Sequence, residues 1–101
     1  MTGFVQIIQW KTSKVDEVQK LNEEYRSSRQ GSGGGPVRVQ VLADKDSPGT
    51  YYTIAEFESA EAAAENSARP DTTEFAGRMA QLCDGPPMFH NTEVMFDEVM
   101  R

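Results

Sequence analysis

An α+β fold is predicted, in which one antiparallel sheet carries two helical crossovers on a single face. Two observations predict it. Strand and helix periodicities alternate as βαβ–βαβ over 101 residues, and the two halves meet at a tight polar turn. The glycine-rich segment QGSGGGP, residues 30–36, leaves a helix and enters a strand. That order is the split βαβ, ferredoxin-like arrangement. Right-handed crossovers then set both helices on the same side of the sheet. The length corresponds to one domain, spanning residues 1–101.

The elements follow in order. Gly3–Thr12 is rich in β-branched and aromatic side chains (Phe4, Val5, Ile7, Ile8, Trp10) and reads as a strand. Ser13, three residues before Asp16, resembles a capping box. Val15, Val18, Leu21 and Tyr25 then recur at helical spacing, giving a helix over about residues 14–29. Gly31 suits the cap that ends it, and the remaining glycines suit a flexible connection. Val37, Val39 and Val41 alternate with Arg38 and Gln40 in a second strand. The turn DKDSPG, Asp44–Gly49, joins it to a third, Tyr51–Glu58. Ser59 caps an alanine-rich helical segment that Pro70 interrupts. Asp71 and Glu74 form a second capping box, and Phe75, Met79 and Leu82 mark one face of the resumed helix. Gly85-Pro86-Pro87 stops it, and Met88–Val99 is the expected last strand.

Composition excludes several classes. A net charge of -6, from ten basic and sixteen acidic residues, repels a phosphate backbone, so no nucleic-acid partner is expected. Arg26 and Arg29 sit near a helix end, where cations complement the dipole. The glycine run is no phosphate cradle. Such loops enter a helix N-terminus, and Pro36 occupies the sixth position of any G-x-G-x-x-G. Cys83 stands alone, so no intrachain disulfide forms. No apolar run approaches the ~20 residues of a membrane span, and MTGFVQIIQWKTSK lacks the basic and small-residue features of a signal peptide. A cytoplasmic protein without a membrane partner is expected.

Alternation along the strands points to self-association. In the first strand Phe4, Gln6, Ile8 and Trp10 share one face, opposite Val5, Ile7 and Gln9. In the third, Tyr51, Ala55 and Phe57 oppose Tyr52 and Ile54, and in the fourth Phe89 and Met95 oppose Val94 and Phe96. Helices cover only one face of such a sheet, so large apolar groups on the other call for a cover. The same face of a second copy, in a two-fold homodimer, is the simplest.

The strand Gly3–Thr12, the Gly35-Pro36 entry to a strand ending VQVLAD, the run YYTIAEFESAEAAAE and the closing HNTEVMFDEV together resemble the dimeric α/β-barrel superfamily. The nearest branch is the antibiotic-biosynthesis-monooxygenase-like (ABM) family. The resemblance implies two ferredoxin-like subunits packed sheet against sheet, each with a pocket between its sheet and its helices. It also implies candidate activities, since some members oxidise phenolic polyketide intermediates with O2 and no cofactor. Phe57 stands before Glu58-Ser59 where the family often has tryptophan. The haem-degrading branch is less similar, because it needs a histidine in the second helical region and residues 59–84 contain none. The asparagine of its pocket falls near Ile8.

Candidate site residues are few. His90 is the only histidine, the residue type whose unperturbed pKa suits a general base near neutral pH, and could act so towards a phenol. A histidine at a strand end without an orienting partner is more often a surface residue. Tyr51 could hold a substrate hydroxyl, and as the neighbour of Tyr52 it points to the opposite face. Trp10 and Phe57 could wall an aromatic pocket or simply fill the core. Asn91, beside His90, and Arg38 are candidate substrate contacts, although Arg38 equally suits a salt bridge at the dimer interface. Metal ligands are lacking: His90 and Glu93 face opposite ways on a strand. Asp44-x-Asp46 opens like a calcium loop, but its distal position is Ala55. Two functions stay open: cofactor-independent oxidation of an aromatic, phenol-like metabolite with O2, or a binding module without catalysis.

Overall fold

The computed structural model describes residues 3–29 and 35–100. The glycine run 31–34, with the proposed Gly31 cap, and the Arg29 side chain lie outside the described residues. Four strands and three helices occur in the order β1 (Phe4–Lys11), α1 (Val15–Arg29), β2 (Arg38–Ala43), β3 (Thr50–Phe57), α2 (Ala60–Ala68), α3 (Pro70–Leu82) and β4 (Met88–Glu93). The strands form one sheet in the order β2-β3-β1-β4, with every neighbouring pair antiparallel. This is the expected ferredoxin-like α+β fold, with the second crossover divided by Pro70.

Local chemistry accounts for the boundaries. In the β2–β3 turn, Thr50 N–H donates to the Ser47 carbonyl at 3.0 Å. Pro48 takes the first central position and Gly49 the second, at a φ of 89°. That is a type II turn, whose second central residue must adopt positive φ. Asp44 Oδ1 accepts from Asp46 N–H at 2.9 Å and braces the approach. Ser59 Oγ accepts from Ala62 N–H at 3.1 Å, capping α2 as expected.

Two helix starts differ from expectation. At α1, Lys14 lends its carbonyl to Glu17 and Val18, and its own N–H is held by Thr12 Oγ1 at 2.9 Å, one residue on either side of the expected Ser13 cap. At α3, Pro70 is the first helical residue and Arg69 precedes it without a side-chain cap, displacing the Asp71–Glu74 box. Proline is suited to that position because its missing N–H would be unpaired there anyway.

The last strand is also shorter than the expected Met88–Val99. β4 lies at the sheet edge and pairs only with β1, which begins at Phe4 opposite Glu93. One further bond runs from Val94 N–H to the Gly3 carbonyl at 3.0 Å. Beyond it Met95 and Phe96 are 89% and 79% exposed.

The sheet has two distinct faces. Phe4, Gln6, Ile8 and Trp10 of β1 align with Phe57, Ala55, Thr53 and Tyr51 of β3, and this face turns towards the helices. Its core is small. Ala55 and Phe57 pack with Ala63 of α2, flanked by Phe4 and Ala62, while α1 contributes buried Val18 and Leu21. The end of α3 is tied to β1 by Asp84 N–H to the Lys11 carbonyl at 2.8 Å and by Thr12 Oγ1 donating to the Leu82 carbonyl at 2.6 Å. The other face, bearing Val5, Ile7, Leu42, Tyr52, Ile54 and Met88, has no helix over it.

Candidate functional site

Between the helix-side face of the sheet and helices α1 and α3 lies an open cleft of about 2170 Å³. It forms because α3 buries none of its residues and packs on α1 and α2 instead of on the sheet. Both edge strands contribute apolar side chains to it, Val39 and Val41 from β2 and Phe89 from β4, all about half exposed. The cleft exceeds the ~300–1,000 Å³ of an enclosed small-molecule pocket because its sides are open.

Trp10 and Tyr51 form one end of the floor. They stand directly opposite across β1 and β3, and their rings stack with centroids 4.8 Å apart and planes 21° from parallel. Trp10 is 2% exposed, and its Nε1–H donates to Thr53 Oγ1 at 2.9 Å. The bond satisfies the buried indole and leaves the threonine hydroxyl proton available to a further acceptor. Tyr51 is only half-buried, so its ring borders the cleft instead of vanishing into the core.

Towards the middle of the floor, Gln6 Nε2 donates to Asn91 Oδ1 at 3.1 Å across the β1–β4 pair. Above the sheet, Tyr25 of α1 stacks on Phe75 of α3 with centroids 4.3 Å apart, and its hydroxyl meets Thr72 Oγ1 at 2.8 Å. These two aromatics hold the helix layer together over the cleft. Cys83, at the foot of α3, also borders it, and burial, helped by the charge of Asp84, pushes its thiol above the usual range. A thiol so shifted stays protonated near neutrality and is a poor nucleophile.

The sheet brings some candidate residues together and separates others. Trp10, Tyr51 and Asn91 share the helix-side face. Phe57 lies on the same face, but it is 4% exposed and packs on Ala63 and Phe4, so it is core first and cleft edge second. His90 pairs with Ile7 and therefore points to the opposite face. It and Tyr51 cannot meet one substrate within a subunit. Arg38 borders the cleft at the β2 edge, but its guanidinium bridges Glu56 at 3.6 Å on the far face.

Gln6 and Thr53 went unrecognised as site residues. The signal for Gln6 was a lone polar residue on the apolar face of its strand. Thr53 shares the face of Tyr51, but a threonine in a strand is ordinarily read as propensity alone. Among the described residues, no cluster of three or more histidine, cysteine or acidic side chains could hold a metal ion, and no helix is long and apolar enough to cross a membrane.

The four-stranded ferredoxin-like fold is shared with solved structures. No protein-family model and no curated protein matches the sequence. Solved structures do match in fold. A candidate antibiotic biosynthesis monooxygenase from Caulobacter crescentus superposes with a TM-score of 0.80 at 14% identity, covering 93% of this chain and 91% of that one. SnoaB, a cofactor-independent oxygenase from Streptomyces nogalater, gives 0.74 at 14% identity over 99% and 98% of the two chains. A conserved protein from Methanosarcina mazei gives 0.79 at 12% identity over 91% and 92%. The fold is thus that of ABM proteins over nearly the full chain.

Proposed function

We propose that the protein is a small monooxygenase of the cofactor-independent kind, oxidising an aromatic, phenol-like metabolite in the cleft with O2. The observation that carries this reading is the stacked Trp10–Tyr51 pair, a flat aromatic platform bordered by hydrogen-bonding groups in an otherwise apolar floor. Such a surface suits a planar ring by offset stacking, and a few polar groups fix its orientation. The shared fold with SnoaB supports the same reading.

The chemistry required is modest. An anthrone-type methylene between aromatic rings gives up a proton to form a delocalised anion, which O2 oxidises directly. The CH2 carbon gains one oxygen atom as a carbonyl, and its two hydrogens leave with the other as water, so no external reductant is consumed. The contribution of the protein is to hold and orient the ring. Tyr51, whose ring borders the cleft, is the residue assigned to donate to the oxygen on which the anionic charge accumulates.

Oxygen-electrode measurements with anthrone and with naphthol test the proposal. Uptake that falls at least tenfold in Tyr51→Phe supports it, and the absence of uptake with either compound sinks it. A second reading, ligand binding without turnover, is favoured by the position of His90 away from the cleft. Thermal stabilisation by these compounds without oxygen uptake would select it.

A further inference from the structure

The Gln6 amide, which lines the cleft, meets the exposed Asn91 amide beside it on the edge strand, and only one of their possible mutual bonds is made. Gln6 Nε2–H donates to Asn91 Oδ1, which leaves Gln6 Oε1 as an acceptor and the Asn91 amide N–H groups as donors, with no other partner among the described residues. Turning both amides over would exchange these roles and still leave one acceptor beside one donor. Gln6 sits on the central strand β1, flanked on its own face by Phe4 and Ile8 and across β3 by Ala55. All three neighbours are apolar. A leucine in that setting would supply packing alone, whereas glutamine offers the cleft an amide whose acceptor is open to a ligand.

We propose that Gln6 and Asn91 form a specificity-determining anchor. It selects fused-ring ligands whose edge carries a hydrogen-bond donor beside a carbonyl, as in a cyclic amide of the quinolone type. The inference rests on the reading of the cleft as an aromatic-binding site and adds the class of ligand. The ring-borne N–H donates to the free amide oxygen, and the neighbouring carbonyl accepts from the free amide nitrogen. The two bonds run side by side, which fixes the ligand in one of its possible in-plane orientations. A hydroxyl already bonded to its own carbonyl is a poorer match, because its donor is spent within the molecule. The anchor is several residues along β1 from the Trp10–Tyr51 platform, at ~3.3 Å per residue. A ligand of two or three fused rings can therefore bond to the amides at one edge while its far ring approaches the aromatic pair.

The test is calorimetric titration of the full chain with three probes: 2-quinolone, its N-methyl derivative and naphthol. The wild type is expected to bind 2-quinolone about tenfold more tightly than the N-methyl compound, the worth of one net hydrogen bond. In Gln6→Leu and in Asn91→Ala that preference is expected to fall to about one, while naphthol affinity changes less than twofold. Asn91 is exposed, so its variant keeps the fold even where the leucine substitution perturbs β1. Naphthol binding with no wild-type preference for 2-quinolone, or a preference that survives in both variants, overturns the anchor and leaves the aromatic cleft standing. Failure of all three probes to bind overturns the cleft reading and the anchor with it.

Discussion

Trp10 and Tyr51 face each other across the two central strands, and a single register holds them in a stack 4.8 Å apart with the indole N–H closed on Thr53. The pair joins the core to the cleft, since one ring is buried and the other half-exposed. The two residues should therefore respond differently to substitution. Trp10→Ala removes a fully buried ring and is expected to cost about 3–5 kcal/mol of stability, read by denaturant unfolding. Tyr51→Phe keeps the ring and the stack, so its melting temperature should stay near wild type while oxygen uptake falls. Equal losses of stability in the two variants would mean that Tyr51 is only a core residue.

His90 lies on the far face of β4, exposed and paired with Ile7. His90→Ala is expected to leave oxygen uptake within twofold of wild type and stability within about 0.5 kcal/mol, as for other exposed positions. A loss of uptake of tenfold or more in this variant, with stability unchanged, would instead place the imidazole in the reaction, through an assembly that brings the two faces together.

Much of this architecture is legible in the residues. The β2–β3 turn follows from Pro48 and Gly49, because their allowed φ values select one turn type. The end of β4 is not legible in the same way. HNTEVMFDEV has strand chemistry throughout, but a strand needs a partner, and the pairing of β4 with β1 is set between Phe4 and Glu93 at one end and Gln9 and Met88 at the other. Alternation also placed Trp10 and Tyr51 on the faces they occupy. It could not pair Tyr51 with Trp10 or set His90 opposite Ile7, because the register between strands distant in sequence is fixed by the whole sheet. The Gln6–Asn91 contact spans β1 and β4 for the same reason, and no local pattern announces it.

The helix-free face sets up a test of assembly. Val5, Ile7 and Ile54 lie together there, with exposed Leu42 and Met88 at its edges, and Met95 and Phe96 beyond β4 add further apolar surface. Each chain weighs 11.2 kDa, and sedimentation is expected to show a particle of twice that mass at micromolar concentration. Ile7→Glu should shift it to the single-chain mass, because burying an unpaired carboxylate in that contact costs several kcal/mol. A wild type that sediments as one chain would show that this face stays wet.

The hairpin carries a pH signature of its own. Tyr52 donates its hydroxyl proton to Asp44 Oδ2 at 2.7 Å, and this bond, with the Asp46 N–H, holds the Asp44 carboxyl below its ordinary 3.8. The same bond pushes Tyr52 above its ordinary 10.0. A carboxyl with a lowered folded-state pKa stabilises the fold fully above 3.8, and loses that contribution as pH falls through the depressed value. A phenol with a raised pKa stabilises fully below 10.0, and loses its contribution as pH climbs through the raised value. Tyr52→Phe removes the bond from both groups at once. Its stability deficit relative to wild type should therefore be flat through neutrality and shrink at both extremes, below pH 3.8 and above pH 10.0. Urea unfolding across that range checks it. A deficit that persists unchanged in strong acid would assign the effect to lost packing of the ring edge instead of the Asp44 bond.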